Sequence, residues 1–174
     1  MRILNTILDG IELLARVFVT ISVSLIMIVV LAQVFFRYVV NDSLQWSEEF
    51  AIYAMVWTVF IGAVILVRNW EHIAIGSFLN LVPMPARGWF FVLAKALCIV
   101  FFCLVAYWGF EFVDQRVHAR SPSLGFSTRW VKLSIPVGAT LMVLFTINEI
   151  IRDILAIRSK DNAYFARLGE GGSL

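Results

Sequence analysis

Four long stretches of this chain carry no charge, and nothing else limits its fold as strongly. Residues 17–36 hold Gln33 as their one strongly polar side chain, and residues 50–67 are uncharged. Residues 96–110 form the third run, with apolar character reaching out to Gly88 and Val113. Residues 133–148 form the fourth, continuing more weakly to Ile157. A helix needs about 20 mostly apolar residues to cross the hydrocarbon core of a bilayer. In lipid the backbone must satisfy its own hydrogen bonds, so runs of this length are helical. The pattern predicts an all-α integral membrane protein with transmembrane helices at about 15–38, 47–67, 88–113 and 132–156. The first run exceeds a secretory h-region of about 7–15 residues and ends in QVFFRY without a small-residue cleavage pattern, so it reads as a retained helix.

A fifth segment, residues 70–82, is too short to cross. Trp70, Ile73, Ala74, Phe78 and Leu81 share one helical face, and Pro83 and Pro85 end the run. This spacing predicts an amphipathic helix lying in the interface; the plainer alternative is a structured loop. No linker or repeat divides residues 1–174, which read as a single membrane domain.

An even number of spans puts both termini on one side. That side holds Arg2, Arg16, Arg68, Arg87, Arg152, Arg158, Lys160 and Arg167; the other holds Arg37, Arg116, Arg120, Arg129 and Lys132. Lys and Arg collect on the cytoplasmic side, so both termini are expected there. Trp46, Trp108 and Trp130 then fall at the outer rim and Trp70 and Trp89 at the inner, as two aromatic belts require.

Several chemistries find no residues to carry them. Both histidines, His72 and His118, lie outside the spans, so no paired haem ligands are offered. Cys98 and Cys103 sit on different faces of the third span and read as small apolar fillers, with no zinc spacing. A net charge of +2, without a basic stripe, gives no reason to expect nucleic acid. No catalytic triad or carboxylate pair is expected to converge inside the membrane. The chain therefore reads as a non-enzyme, with no cofactor or metal. A self-associating small transporter or channel remains an alternative; Gln33, Thr58, Ser134 and Thr140 are its sparse polar lining.

The rim between the first two spans is richer. Arg37 closes span one, and Glu48 and Glu49 open span two after the short connection YVVNDSLQW. Rim cations snorkel to the interface, and a helix N-terminus favours acids by about 0.3–1 kcal/mol. Arg37 is expected to pair with one glutamate across the hairpin. Adjacent helical residues point about 100° apart, so the other must face headgroups, water or another protein. Glu49, Tyr53 and Trp57 continue as a stripe with polar tips, and Gly62 and Ala63 offer a patch for close helix approach. The stripe suits either a protein contact or packing among the chain's own helices.

The ordered set Arg37, Trp46-Ser47-Glu48-Glu49, Gly62-Ala63, Glu71-His72, then Trp130 and Pro136, resembles the small membrane subunit (DctQ type) of TRAP, or tripartite ATP-independent periplasmic, transporters. The likeness covers nearly the whole chain. It implies a sodium-coupled importer of an organic acid, of the sialic-acid or C4-dicarboxylate class, in the bacterial inner membrane. In such systems a soluble periplasmic substrate-binding protein captures the acid and a large membrane subunit moves it by an elevator motion. The resemblance gives the small subunit a scaffold role, binding and stabilising the large one amid membrane lipid and holding neither substrate nor sodium. The chain ends at Leu174, so a separate large subunit is expected. The run SLGFSTRWVKLSIPV is similar to sialic-acid members. Within the resemblance, Arg37, Trp46, Glu48, Glu49, Tyr53, Trp57, Gly62 and Ala63 are partner or structural candidates. The basic outer loop with Arg116, Arg120, Arg129 and Lys132 is a candidate dock for the soluble protein, or else ordinary surface charge.

Overall fold

The structure, a computed structural model, describes residues 2–42, 44–68, 84–115 and 120–158. The expected interfacial helix at 70–82 and Arg116 lie outside them. Helix α1 (Arg2–Phe35) runs into a π-helical turn (Phe36–Val40). It is followed by α2 (Gln45–Arg68), α3 (Met84–Asp114), the single turn α4 (Arg129–Lys132) and α5 (Ser134–Arg158). Four segments are long and apolar enough to cross a membrane: Thr6–Val40, Gln45–Arg68, Val92–Asp114 and Arg129–Arg158. The end of the molecule where α1 starts and α5 finishes is termed the base, and the opposite end the crown.

The first helix begins well before the expected residue 15. Its 35-residue candidate span is roughly 52 Å long at 1.5 Å per residue, against a hydrocarbon core of about 30 Å. The surplus turns at the base carry Asp9 and Glu12, which a span limited to apolar residues leaves out.

Helices α1, α2, α5 and α3 lie side by side in that order, because α1 packs on α2, α2 on α5 and α5 on α3. Among the described residues no substantial packing joins α1 to α3, so the row they form is open rather than closed into a square bundle. The centre of the row is the most buried part: 39% of the most apolar window of the Arg129–Arg158 segment is buried, against 6% for Thr6–Val40. Buried positions on α5 repeat at helical spacing along two faces, as with Gly138, Met142 and Phe145 beside Ala139, Thr146 and Asp153. Two close approaches make this possible. A Cβ on Gly138 would stand 2.9 Å from the Cβ of Phe60 on α2. A Cβ on Gly109 of α3 would stand 3.2 Å from both Ile135 Cγ2 and Pro136 Cδ. Without a hydrophobic drive between helices in lipid, such small-residue contacts and polar pairs hold neighbours together. Pro136 sits in the first turn of α5, where no intrahelical partner awaits its missing N–H. Towards the base, Leu8, Val64, Val67, Met142 and Phe145 form the apolar core.

Two ionic clusters close the base, and the sequence reading anticipated neither. Arg68 at the end of α2 pairs with Asp9 and Glu12 of α1, and Glu12 also binds Arg16 at 2.7 Å. The Arg68 guanidinium lies 5.3 Å from the ring centroid of Phe145 on α5. On the other side of the row Lys95 of α3 is 2% exposed, with its Nζ 2.7 Å from Asp153 and 3.8 Å from Glu149 of α5. Arg152 binds Glu149 at 3.1 Å. Each cluster holds two cations and two acids. These carboxylates gather in a salt-bridged cluster that the sequence reading did not foresee. Glu149 and Asp153 are one turn apart on α5, and Lys95 lies opposite, where the spans converge.

Two outcomes follow from this packing. Gly138→Ala must push α5 from Phe60 and should cost about 1–3 kcal/mol, while Gly62→Ala, whose added Cβ meets nothing within 4 Å, should be tolerated. Thermal melting of the two variants in detergent compares them. Lys95→Met leaves buried Asp153 without its cation and should cost about 3–5 kcal/mol. Adding Asp153→Asn should return much of the lost stability, read by the same melting experiment.

Candidate functional site

At the crown, α1 ends because the chain turns through Asn41, whose left-handed conformation (φ 56°) suits Asn better than most residues. The Asn41 and Asp42 N–H groups both bond back to Phe36 O. The entry to α2 is fixed by Ser47, which is buried and donates its hydroxyl to Leu44 O at 2.6 Å. Trp46 packs edge-on against Phe50, with centroids 6.4 Å apart, and keeps 42% of its surface open.

The two glutamates have different fates. Glu48 is exposed in the first turn of α2. Glu49 turns towards the loop between α3 and α4. One oxygen, Oε2, accepts the Ser121 hydroxyl, the Ser123 N–H at 3.2 Å and the Leu124 N–H at 3.1 Å. The loop is shaped for this. Ser121 N–H bonds to Phe126 O at 2.8 Å, Gly125 N–H bonds to Ser121 O at 3.1 Å, and Gly125 adopts φ +67°. An antiparallel bridge joins Arg120 to Ser127. The turn so formed aims successive amides at one point, a concave nest suited to an anion, and the anion present is Glu49 itself.

The expected Arg37–glutamate pair is not formed among the described residues. Arg37 is exposed, and its guanidinium lies 5.9 Å from the ring centroid of neighbouring Tyr38. The staple between helices is instead Glu49, joining α2 to the 120–127 loop. The turn residues Ser121, Pro122 and Gly125 announce a turn in the sequence. Their carboxylate partner lies 72 residues earlier, and no local pattern reveals it.

Tyr53 and Trp57, the continuation of the Glu49 stripe, line an apolar groove of about 520 Å³ between α1 and α2. Phe18 and Leu25 form its α1 wall, and Phe126 and Trp130 cover its crown end. A second groove of about 250 Å³ shares Phe18 and Trp57 and reaches Leu141 on α5. Together they make a furrow along the α1–α2 seam. Gly62 opens away from its own neighbours, whereas Ala63 packs against the core near the base.

The loop cations also divide. Arg120 and Arg129 are exposed. Lys132 is half-buried with its Nζ 4.5 Å from the centroid of Phe112 on α3, so it braces the row rather than facing outward. The sparse hydroxyls are engaged locally: Thr58 bonds to Ala54 O and Thr140 to Pro136 O on their own helices, and Ser134 at the start of α5 bonds to Val131 O of α4. Cys98 and Cys103 are free thiols on α3.

Comparison with known proteins places this arrangement. Residues 26–156 match the family described as tripartite ATP-independent periplasmic transporters, DctQ component. The chain is 24% identical over 151 residues to the sialic acid TRAP transporter small permease protein SiaQ of Vibrio cholerae, covering 86% of this chain and 85% of that one. It is 33% identical over 102 residues to the C4-dicarboxylate TRAP transporter small permease protein DctQ of Rhodobacter capsulatus, covering 58% of this chain and 45% of that one. It is 29% identical over 115 residues to the sialic acid TRAP transporter permease protein SiaT of Haemophilus influenzae, covering 66% of this chain and 19% of that longer protein. The family is a transport component and not an enzyme. With four membrane-spanning helices and a match over residues 26–156, this multi-pass membrane protein belongs to the DctQ component family of tripartite ATP-independent periplasmic transporters.

Proposed function

We propose that this chain is the small scaffold component of a sodium-coupled importer of an organic acid, of the sialic-acid or C4-dicarboxylate class. In this reading it binds and stabilises the large elevator component in the bacterial inner membrane. The base faces the cytoplasm, following the Lys and Arg bias, and the crown faces the periplasm. The observation that carries the scaffold role is the open row of helices. An open row encloses no path, and its base charges pair within the chain. The hydroxyls of Thr58, Ser134 and Thr140 are taken up by carbonyls three or four residues back along the chain. What the row does offer is a wall with an apolar furrow whose crown end is lined by Phe126 and Trp130, and Trp46 and Glu48 are exposed in the first turn of α2.

Tyr53 and Trp57 in the furrow, with Trp46, Glu48, Arg37 and open Gly62, form the proposed contact for the large component and the lipid around it. Arg120 and Arg129, with Arg116, form the proposed dock for an acidic face of the soluble substrate-binding component. The self-associating channel is the second reading, and it requires flux from this chain alone.

Mild extraction of the tagged chain from its native membrane should bring down a stoichiometric, larger polytopic protein. Uptake in proteoliposomes should need both. Recovery of this chain alone under several mild conditions, together with flux, would favour the channel. Trp57→Ala should reduce recovery of the larger protein at least about tenfold while leaving the level of this chain near normal, as loss of a well-packed aromatic anchor does. Reversing Arg120 and Arg129 to Glu should lower uptake about three- to tenfold at low salt, with the gap narrowing as ionic strength rises.

A further inference from the structure

Glu49 is poorly placed for a partner and well placed for the loop. It is half-buried, and three donors from residues 121, 123 and 124 converge on one of its oxygens. Ser121, at the heart of this nest, is 3% exposed and is the immediate neighbour of exposed Arg120. Five residues further along the same loop, Phe126 lies over the crown end of the α1–α2 furrow beside Phe50 and Tyr53 of α2. The carboxylate therefore ties the loop to α2 at one point, and the direction in which Arg120 projects depends on that tie. Hydrogen bonds to an ionised acceptor are roughly twice as strong as neutral ones, so this is the strongest single polar restraint that joins the loop to α2 among the described residues.

We infer that Glu49 is a positioning residue for the crown loop: it latches residues 120–127 against α2 and so presents Arg120 to the soluble substrate-binding component. This rests on the docking reading above. It assigns Glu49 a role different from that of its neighbour Glu48, which stays exposed and available to the membrane partner. Arg120 supplies the charge that the soluble protein meets; Glu49 acts through the loop and touches neither partner.

The test uses the complete transporter with both membrane components. Leu124→Cys keeps the Leu124 N–H that Glu49 accepts and places a thiol at a half-buried position of the loop, where release raises its exposure. Its labelling rate with a hydrophilic maleimide in detergent reports loop release, corrected by the same chain without that cysteine. Proteoliposome uptake is then titrated with the soluble component. With Glu49→Ala, labelling should speed up about fivefold or more, and the soluble-component concentration for half-maximal uptake should rise several-fold, roughly the loss of one charge-assisted anchor. The uptake rate at saturation and recovery of the large component should stay near the unmutated values. Glu49→Gln, which keeps one acceptor oxygen, should fall between. A fixed half-maximal concentration despite faster labelling would overturn the inference, and so would unchanged labelling. If Glu49→Ala disturbs assembly, Ser121→Ala decides the matter, because it removes a donor from the nest and leaves α2 intact. Uptake by the unmutated transporter that does not rise with the soluble component would overturn the docking reading itself, and the inference with it. That arm is read before any variant is made.

Discussion

A cation buried near the end of an apolar span must find its counter-charge on a neighbouring helix, and this requirement sets which helices are neighbours. Lys95 is almost completely buried on α3, and its acids, Glu149 and Asp153, are on α5. Arg68 closes α2, and its acids, Asp9 and Glu12, are on α1. Removing one partner from such a cluster leaves an uncompensated buried charge, which is far more costly than never having the pair. Wrong pairings are penalised in the same way, so the clusters select the α1–α2 and α5–α3 contacts. The remaining contact, α2 with α5, is built from shape: Gly138 lets Phe60 in, and Arg68 reaches over Phe145. The order α1, α2, α5, α3 follows from these three local facts.

An open row of this kind leaves broad apolar faces on α1 and α3, with Leu14, Leu31, Leu97 and Trp108 each about 60–70% open. In water such faces drive aggregation. In lipid they cost nothing, because hydrocarbon tails are as apolar as the side chains. The fold is therefore intelligible only with the bilayer as its solvent.

The helices themselves were legible from the uncharged runs, since length and apolarity suffice to mark a span. The base was not. Asp9 and Glu12 precede the first apolar run, and Glu149 and Asp153 fall in the weaker continuation of the fourth; nothing local singles them out. Their meaning depends on which helices adjoin, and periodicity within one helix carries no such information. Arg37 and the glutamates were recognised as a site, and a hairpin staple was expected. The staple exists, but it joins Glu49 to a loop 72 residues away rather than to the nearest cation. Sequence proximity favoured Arg37; the convergence of a hydroxyl and two amides on one oxygen decided otherwise. Tyr53 and Trp57, expected to continue one face inward from Glu49, line the furrow.

The two ends of the row are thus built on different principles. At the base, two cations meet two acids in each cluster, and the charges pair within the chain. At the crown, the segment 120–133 has Arg120, Arg129 and Lys132 and no acid of its own, and its nearest carboxylate in the structure is turned into a nest of amides. The paired clusters of the base contribute rigidity and little long-range field of their own. At the crown, exposed Arg120 and Arg129 stand on a segment without an acid of its own, and an acidic surface can meet their charge at close range. Along the membrane faces neither mechanism operates, since lipid offers no hydrophobic gain for one helix over another. Affinity there must come from contour, and the furrow beside Tyr53 and Trp57 supplies one, of about 520 Å³. Lipid tails fill such a shape imperfectly, whereas a fixed helix with matching side chains fills it well and recovers the dispersion contacts that the tails forgo.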